Sequence, residues 1–351
     1  MNQSNFDYLK TWLIRLLSTP SPTGDTVNIL QILEDEIKHL GLETSYNRKG
    51  GLLFTIPGTD TTKWRMITAH VDTLGCMVKE ILPTGRLRIH KIGGYAWTTI
   101  EGEYCKIKTK SEKVYTGTVI LHNTSVHVNR EVDKTERTDQ NIEVVLDAKV
   151  QSDKDVLSLG ISVGDFISFD PRVTWTDTGF IKSRHLDDKA SVAIILSTIQ
   201  EILSSSIKLP HPTVVLISNN EEIGYGGNSN IREEVVEYLA VDMGAIGDGQ
   251  ATDEYSVSIC AMDASGPYHL GLRNHLVDLA TSLQLNYKVD IYPYYGSDAS
   301  AAMRSGADVV HGLIGPGVAN SHAYERMHED ALLNTATLLK GYILSPISTC
   351  S

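Results

Sequence analysis

Apolar residues recur at helical spacing in two segments near the start of the chain. In the first segment they lie three and four positions apart, at Leu9, Trp12, Leu13, Leu16 and Leu17. The second segment runs from Ile29 to Leu40, after a break rich in proline and glycine between Pro20 and Gly24. This pattern predicts two helices. Short runs of β-forming residues then predict strands over Leu52–Ile56 and Arg65–Ala69.

The pattern changes between residues 73 and 171. Short alternating runs with turns between them replace helical periodicity there, as in Lys113–Leu121, Ile142–Val150 and Ile161–Phe169. Alternation with a period of two is typical of strands that bury one face. We therefore predict that residues 73–171 form a small all-β domain, inserted into a larger domain made of residues 1–72 and 172–351.

Helices and strands alternate again after residue 171. Helical segments are predicted over Lys189–Leu203, Ile231–Leu239, His269–Leu283 and Ser300–Ser305. Continuous apolar runs predict buried strands over Thr213–Ser218 and Asp308–Ile314. Strands that are apolar throughout are typical of a parallel sheet covered by helices on both faces. The predicted fold class is α/β, with a three-layer α-β-α domain around a mostly parallel sheet and the all-β insert.

The composition is that of an ordinary globular protein of 351 residues. Hydrophobic residues make up 41% and charged residues 21% of the chain, a balance that disordered and fibrous proteins do not show. Lys and Arg number 31 against 43 Asp and Glu, which gives a net charge of −12. This sign argues against nucleic acid or an anionic membrane as a partner, because both are bound by clustered basic side chains. An acidic protein can instead bind cations.

Neither a membrane span nor a secretion signal is expected. The longest uncharged stretch, Val309–Tyr324, is interrupted by glycine and proline and is shorter than the ~20 apolar residues that a bilayer requires. The apolar part of the N-terminus carries charged residues and lacks a small-residue cleavage site. We therefore predict a cytoplasmic protein.

Histidines and carboxylates are the candidates for metal binding. The cysteines, which lack the Cys-x-x-Cys spacing of zinc fingers, stand at Cys76, Cys105, Cys260 and Cys350. Side chains suited to metals follow apolar runs or precede a helix, where open α/β sheets hold their sites. These side chains are His70 and Asp72, Asp187 and Asp188, Glu221 and Glu222, Asp242, and His322.

His70 and Asp72 form the first candidate pair. Residues two apart in a strand share a face, so Asp72 can accept the second ring N–H of His70 and fix its tautomer for a metal. The alternative is a strand-end histidine beside an incidental carboxylate.

Asp187 and Asp188 directly precede the predicted helix Lys189–Leu203. Aspartate is a favoured N-cap, which offers a purely structural explanation. A cap needs only one aspartate, however, and the second carboxylate has two oxygens that can bridge two cations.

Glu221 and Glu222 follow a predicted buried strand, where packing gives no reason for two acidic residues. Because neighbouring strand residues point to opposite sides, we expect one to bind metal and the other to handle protons. The alternative is a solvated loop, since Gly224–Gly227 certainly forms one.

Two further candidates have rivals that spacing cannot exclude. Asp242 ends an apolar run, and Asp248 lies six residues later. His322 lies in a segment for which His311 and His328 are equally available.

Taken together, these residues resemble metallopeptidase family forty-two, the dinuclear aminopeptidases of the tetrahedral-particle and glutamyl or deblocking types. The resemblance covers nearly the whole chain, including the β insert. The motifs that carry it occur in the family's order, as His70-x-Asp72, Leu186-Asp187-Asp188-Lys189, Asn220-Glu221-Glu222-Ile223-Gly224, Val241-Asp242 and His322.

The resemblance implies the metal ligands. His70 and Asp242 would hold one ion, Glu222 and His322 would hold the other, and Asp187 would bridge both. It thereby favours Asp242 and His322 over their rivals. Two divalent ions per subunit are implied, with zinc first and cobalt or manganese as alternatives.

The resemblance also implies the remaining roles. Glu221 would act as general base and acid, Asp72 would orient His70, and the bridging aspartate would be joined to Asp188 by a cis peptide bond. The implied activity is removal of N-terminal residues from peptides. The insert would be a barrel or PDZ-like domain that forms dimers, which assemble into a larger particle such as a dodecamer.

Three positions depart from the family pattern. The arginine that often follows the Glu-Glu motif is Gly226 here, and the Gly-Thr-Asp-Ala motif has Ser297 in place of threonine. The first change puts substrate preference in doubt and leaves the metal chemistry intact. His185, beside the proposed bridge, has no assigned role.

Two other functions remain open at this stage. A dinuclear N-acyl amino acid hydrolase or carboxypeptidase would need a cation for the substrate carboxylate, for which Arg184, Arg273 or Arg304 is available. A non-catalytic assembly protein with structural metals would have no use for a base such as Glu221.

Overall fold

The computed structural model describes residues 2–347, and within them the chain forms seven α-helices. Numbered along the chain, they are α1 (Gln3–Leu17), α2 (Val27–His39), α3 (Asp153–Ser158), α4 (Leu186–Ser204), α5 (Leu270–Ser282), α6 (Asp298–Arg304) and α7 (Glu329–Leu344).

The strands fall into three groups along the chain. The first group consists of β1 (Thr44–Tyr46), β2 (Leu52–Ile56) and β3 (Trp64–His70). The predicted insert holds β4 (Gly75–Ile81), β5 (Leu87–Ile92), β6 (Tyr104–Lys108), β7 (Val114–Leu121), β8 (Ile142–Leu146) and β9 (Phe166–Phe169). The last group consists of β10 (Thr174–Trp175), β11 (Phe180–Ser183), β12 (Thr213–Ser218), β13 (Val235–Val241), β14 (Gly244–Ala245), β15 (Val257–Asp263), β16 (Gly266–Pro267), β17 (Tyr287–Ile291), β18 (Val310–Val318) and β19 (Glu325–His328).

A ten-stranded sheet forms the centre of the larger domain. Its order is β1-β2-β12-β3-β13-β18-β15-β16, with β14 beside β18 and β17 beside β15. The four central strands β12, β3, β13 and β18 are mutually parallel, and antiparallel β2 and β15 flank them. Strands β10, β11 and β19 form a separate small sheet. The parallel centre brings the carboxyl ends of β3, β12 and β13 to one edge, which is where α/β sheets hold their sites.

Helices cover both faces of this sheet. On β3, Ile67 and Ala69 are buried in a cluster that also contains apolar residues of α1, α4 and α7. Met66, which points the other way, is buried with Ala299 of α6. The three-layer α/β prediction is thereby confirmed.

The six strands of the insert close into an antiparallel barrel in the order β4-β5-β8-β7-β6-β9. Its interior is a hydrophobic cluster of its own, built from residues such as Cys76, Ile89, Ile107, Val144 and Ile167. The alternating runs of the sequence thus produce a barrel whose inward positions are apolar.

One predicted element is wrong. The segment Ile231–Leu239 was expected to be helical, but Val235–Val241 forms β13 and the residues before it form turns. Glu237 interrupts the apolar run in the sequence and imitates a helical pattern. It is buried nonetheless, because its carboxylate pairs with Arg65 of the neighbouring strand at 2.9 Å.

No helix within residues 2–347 has the length and apolar character needed to cross a bilayer. Cys76, Cys105 and Cys260 are buried free thiols, and Cys350 lies outside the described residues.

Candidate metal centre

Five chain segments converge at the carboxyl edge of the central sheet. His70 is the last residue of β3, and Asp242 directly follows β13. Glu221 and Glu222 form a single 3₁₀ turn after β12. The last two segments are the start of α4, with Asp187, and the loop between β18 and β19, with His322.

The ring of His70 points into this cluster. Its Nε2 lies 3.3 Å from Oδ1 of Asp187 and 3.7 Å from Oε2 of Glu221. Its Nδ1 lies 2.9 Å from the main-chain oxygen of Asp72 and 3.5 Å from that residue's carboxylate. The Nδ1–H therefore donates to Asp72, which leaves Nε2 free to bind a metal.

The carboxylate of Asp72 holds the glutamate turn. Its Oδ1 accepts the main-chain N–H of Glu221 at 3.1 Å, and its Oδ2 accepts that of Glu222 at 3.3 Å. Thr23 donates its hydroxyl to the same Oδ2 at 2.7 Å. Asp72 thus orients His70 through its main chain and the two glutamates through its side chain.

His322 approaches from the opposite side. Its Nε2 lies 3.3 Å from Oδ2 of Asp187 and 3.5 Å from Oε2 of Glu222. Its Nδ1 donates to the main-chain oxygen of Gly94. The two oxygens of Asp187 therefore face two different histidines, as a bridging carboxylate between two cations requires.

Candidate ligand atoms form two groups of three, and within each group all of the atoms lie within 4.8 Å of one another. One group comprises His70, Asp187 and Glu222, and the other comprises His70, Asp188 and Asp242. Asp188 was expected only as the cis neighbour of Asp187, and the peptide bond between the two is indeed cis. Its Oδ2 accepts the main-chain N–H of His70 at 3.2 Å, but its buried Oδ1 has no hydrogen-bond partner.

Burial and mutual repulsion disturb the charges of this cluster. Burial, followed by the charge of Asp187, raises the pKa of Asp242 to about 7. Burial likewise raises the pKa of Glu222 to about 8. Burial alone would lower the pKa of His322, but Asp187 and Glu222 raise it to about 11. Crowded, buried carboxylates of this kind are stabilised by cations.

The donor set fits divalent metal ions. Five buried or half-buried carboxylates and two histidines surround the site, and one carboxylate oxygen of Asp188 is buried without a hydrogen-bond partner. These residues are Asp187, Asp188, Glu221, Glu222, Asp242, His70 and His322. Imidazole nitrogens and carboxylate oxygens suit zinc, and they also suit cobalt and manganese.

Glu325 is a residue that sequence reasoning missed. It is buried on β19, and its two oxygens accept the main-chain N–H of Asp187 at 3.1 Å and that of His322 at 3.2 Å. It therefore ties together two of the segments that carry candidate ligands. Its position three residues after His322 carries no periodic signal from which this role could be predicted.

The rival residues lie outside the cluster. Asp248 is exposed. His311 packs against Tyr268, and His328 caps α7 by accepting the N–H of Asp330.

His185 is buried with a positive φ of 69° at the start of α4. Burial, followed by the charges of Lys189 and Arg184, lowers its pKa well below the usual value. It is a neutral neighbour of the cluster and belongs to neither group of ligand atoms.

Two adjoining cavities open onto the cluster. The inner cavity, of about 240 Å³, is bordered by Asp187, Glu221, Glu222, Gly224, Asp242, Met243, Tyr294, Tyr295, Gly296 and His322. The outer cavity, of about 480 Å³, shares Met243, both tyrosines and His322 with it. Among the described residues, no lysine or arginine borders either cavity. Arg184 is buried and paired with Glu103, and Arg273 and Arg304 lie elsewhere on α5 and α6.

Comparison with known proteins gives a consistent result. The family model described as M42 glutamyl aminopeptidase matches residues 50–338. The Bacillus subtilis (strain 168) protein named "Putative aminopeptidase YhfE" is 62% identical over 332 residues, which cover 95% of this chain and 96% of that protein. "Glutamyl aminopeptidase" of Lactococcus lactis subsp. cremoris (strain MG1363) is 23% identical over 97% of this chain and 96% of its own length.

Solved structures share the fold at lower identity. The TET aminopeptidase of the marine sediment archaeon Thaumarchaeota archaeon SCGC AB-539-E09 matches 97% of each chain with a TM-score of 0.87 and 17% identity. PhTET1-12s, a dodecamer in its crystal, matches 99% of this chain and 100% of its own with a TM-score of 0.84 and 19% identity.

Proposed function

Because this chain belongs to the M42 glutamyl aminopeptidase family and is therefore a peptide-bond hydrolase, we propose that it removes N-terminal residues from peptides with the help of two bound divalent cations. The position of Asp187 is the observation that carries this proposal. Its two carboxylate oxygens lie 3.3 Å from the Nε2 atoms of two different histidines. A site for a single ion has no need of a carboxylate shared in this way.

The ligands divide around this aspartate. His70 and Asp242 would hold one ion, and Glu222 and His322 would hold the other, with Asp187 shared between them. Asp188 adds a buried carboxylate beside His70 and Asp242. Zinc suits these ligands best, with cobalt and manganese as alternatives. When bound, such ions lower the pKa of water and polarise a carbonyl group.

Glu221 is the proposed general base and acid. Both glutamates border the inner cavity, but Oε2 of Glu221 lies 3.7 Å from Nε2 of His70, whereas Oε2 of Glu222 lies 3.5 Å from Nε2 of His322. The carboxylate of Asp72 fixes the main chain of both residues. The two side chains are thereby held towards different histidines and can take different roles. Glu221 takes a proton from the attacking water and passes it to the leaving amine.

The cavities favour a free amino terminus over a free carboxylate as the recognised end of the substrate. Carboxylates crowd the inner cavity, and no lysine or arginine among the described residues borders it. A free α-amine fits such surroundings, whereas a C-terminal or N-acyl amino acid carboxylate would find no basic side chain from the described residues there to pair with. The carboxypeptidase and N-acyl amino acid hydrolase alternatives therefore have no supporting contact.

We further propose that the chain forms homo-oligomers, with the barrel providing contacts between subunits. The support is the barrel's separate core and its place outside the ten-stranded sheet. The likeness to PhTET1-12s, itself a dodecamer, agrees with this proposal.

Replacing Glu221 by glutamine tests the mechanism. Glu221→Gln removes the base but keeps the side-chain size, so we expect two bound ions, an intact fold and turnover lowered by roughly 10²–10⁴-fold. The assay compares aminoacyl chromogenic substrates that carry a free amine with their N-acetylated counterparts. Undiminished turnover by Glu221→Gln would contradict the proposed base. Preference for the acetylated substrates would contradict the proposed specificity.

A further inference from the structure

We propose that residues 93–103 of the inserted barrel are a structural part of the metal centre, and that Arg184 is the positioning residue that holds this segment against the loop of His322. The inference rests on the two-ion site proposed above. We call residues 93–103, which connect β5 to β6, the barrel segment.

The barrel segment contacts both ligands proposed for the second ion. Gly94 accepts the Nδ1–H of His322 through its main-chain oxygen, which turns Nε2 towards Asp187 and Glu222. A Cβ atom placed on Gly93 would lie 3.5 Å from the main-chain oxygen of Glu222. The segment therefore packs on Glu222 and orients His322, the two ligands proposed for the second ion.

Arg184 joins this segment to the loop of His322. Its side chain is 3% exposed, and its guanidinium donates to the main-chain oxygen of Ala323 at 3.3 Å and to that of Thr99. It also forms an ion pair with Glu103 at 3.1 Å. Thr99 and Glu103 belong to the barrel segment, and Ala323 directly follows His322. One side chain thus fixes both partners of the Gly94–His322 hydrogen bond.

The chemistry of arginine suits this task. A guanidinium presents five N–H donors in a rigid plane, whereas a lysine ammonium is a single point with a flexible stem. The main chain of Arg184 is itself fixed, because its N–H donates to the oxygen of Pro171 at 3.0 Å. Since Asp187 lies only three residues further on, the contacts of Arg184 are anchored next to the bridging ligand.

The other ion does not depend on this arrangement. Its proposed ligands His70 and Asp242 lie at the ends of β3 and β13 in the central sheet. Outer partners that orient a metal ligand typically change metal affinity by about 10–100-fold when they are removed. We therefore expect Arg184→Met to weaken one of the two ions by about that factor and to leave the other unchanged.

Arg137→Met is the matched control for this variant. Arg137 also pairs with a glutamate of the barrel segment, Glu101, at 2.7 Å, and donates to the main-chain oxygens of Val132 and Thr135. All of these partners belong to the inserted domain of residues 73–171. Its replacement removes an arginine of the same kind without touching the loop of His322.

Two glycines of the inserted domain provide an independent pair of variants. A Cβ on Gly93 would collide with buried Leu74, and the φ of +81° at Gly93 disfavours any side chain. Gly160, outside the barrel segment, has a similar φ of +86°, and a Cβ placed on it would meet no atom within 4 Å. Gly93→Ala should therefore displace the Gly94 carbonyl and weaken one ion, whereas Gly160→Ala should bind both ions as the wild type does.

The experiment titrates metal-free wild type and the four variants with Co²⁺ and with Zn²⁺, and it measures the number of ions bound per chain and the affinity of each. Circular dichroism checks the fold. The expected result is one ion weakened about 10–100-fold in Arg184→Met and Gly93→Ala, and two ions of wild-type affinity in the two controls. If Arg184→Met does not fold, the glycine pair decides.

Wild-type affinity for both ions in Arg184→Met and Gly93→Ala would overturn the inference, as would equal weakening of both ions in variants and controls alike. The wild-type titration tests the proposed function separately. If the wild type binds a single ion, the two-ion proposal is contradicted. The inference about Arg184 is tested by the change in metal affinity from wild type to variant.

Discussion

At the scale of single residues, Asp187 sets the character of the site. It is nearly fully buried, yet hydrogen bonds from His322 and His70 outweigh the cost of burial and lower its pKa. Ser321 donates a further hydrogen bond to its Oδ2 at 3.1 Å. These hydrogen bonds therefore favour the charged form of Asp187, as the proposed bridging role requires.

The other carboxylates hold protons that a cation has to displace. Burial raises the pKa of Asp242 to about 7 and that of Glu222 to about 8 in the metal-free chain. Below these values each group is protonated, and a metal binds the deprotonated form. His322, whose pKa is raised to about 11, also has to lose a proton before it binds a metal. We therefore expect metal affinity to fall as the pH drops, including the interval from about 8 to about 6, with protons released on binding.

Calorimetric metal titrations in two buffers of different ionisation enthalpy would measure this proton release. Comparison of Asp242→Asn with wild type shows how many of the released protons come from the carboxylate of Asp242. Affinity that stays constant between about pH 6 and pH 8, without proton release, would contradict the assignment of these buried acids as ligands.

At the scale of elements, buried Arg65 connects three parts of the larger domain. Its Nε pairs with Glu237 of β13 at 2.9 Å. One terminal nitrogen donates to the main-chain oxygens of Tyr342, Ile343 and Ser345 at the end of α7. Strands β3 and β13 and helix α7 are thereby held together by a single guanidinium.

Arg65→Met should destabilise the fold strongly. It leaves the carboxylate of Glu237 buried without its cation, and breaking a buried pair in this way costs about 3–5 kcal/mol. Urea denaturation would measure the loss in the free energy of unfolding. Arg232→Met, which breaks the exposed pair with Glu234, is the control and should change stability far less. Equal effects of the two changes would contradict the role of Arg65.

Elements with clear periodicity were predictable, and one with an ambiguous pattern was not. The runs over Leu52–Ile56 and Thr213–Ser218 are strands with those bounds. The helix expected over Ile231–Leu239 is strand β13, because the buried acidic residue within it is explained only by an arginine on another strand. Tertiary pairing of this kind leaves no local trace in the sequence.

The same limit applies to the site. Side chains such as His70 and Glu222 could be singled out because they follow apolar runs. The main-chain oxygen of Gly94 and the carboxylate of Glu325 could not, since their roles depend on which loops meet in space. The fold as a whole decides which group contacts the main chain of a metal ligand or the second ring nitrogen of a histidine. Neighbouring residues in the sequence do not reveal it.

At the scale of the whole molecule, the resemblance drawn from a handful of motifs is confirmed by the family match over residues 50–338. Because the chain is a peptide-bond hydrolase, the alternative of a non-catalytic assembly protein is not supported. The barrel strands fall within the predicted insert of residues 73–171. The role of that barrel in dimerisation, like the cytoplasmic location, stays a prediction.

Native mass spectrometry would test the proposed assembly. A chain of 38.6 kDa that forms dimers and larger particles should appear as multiples of that mass. Dilution should release dimers before monomers if the barrel contact is the stronger one. A single species at the mass of one chain, in the presence of bound metal, would contradict the proposal.

The proposed pair of ions around Asp187 can be tested by direct observation. Crystals of the zinc-loaded protein, measured on both sides of the zinc absorption edge, would show every bound zinc as an anomalous peak. We predict two peaks, one beside His70 and Asp242 and one beside Glu222 and His322, with Asp187 contacting both. A single peak, or peaks away from Asp187, would contradict the two-ion site from which the proposed activity follows.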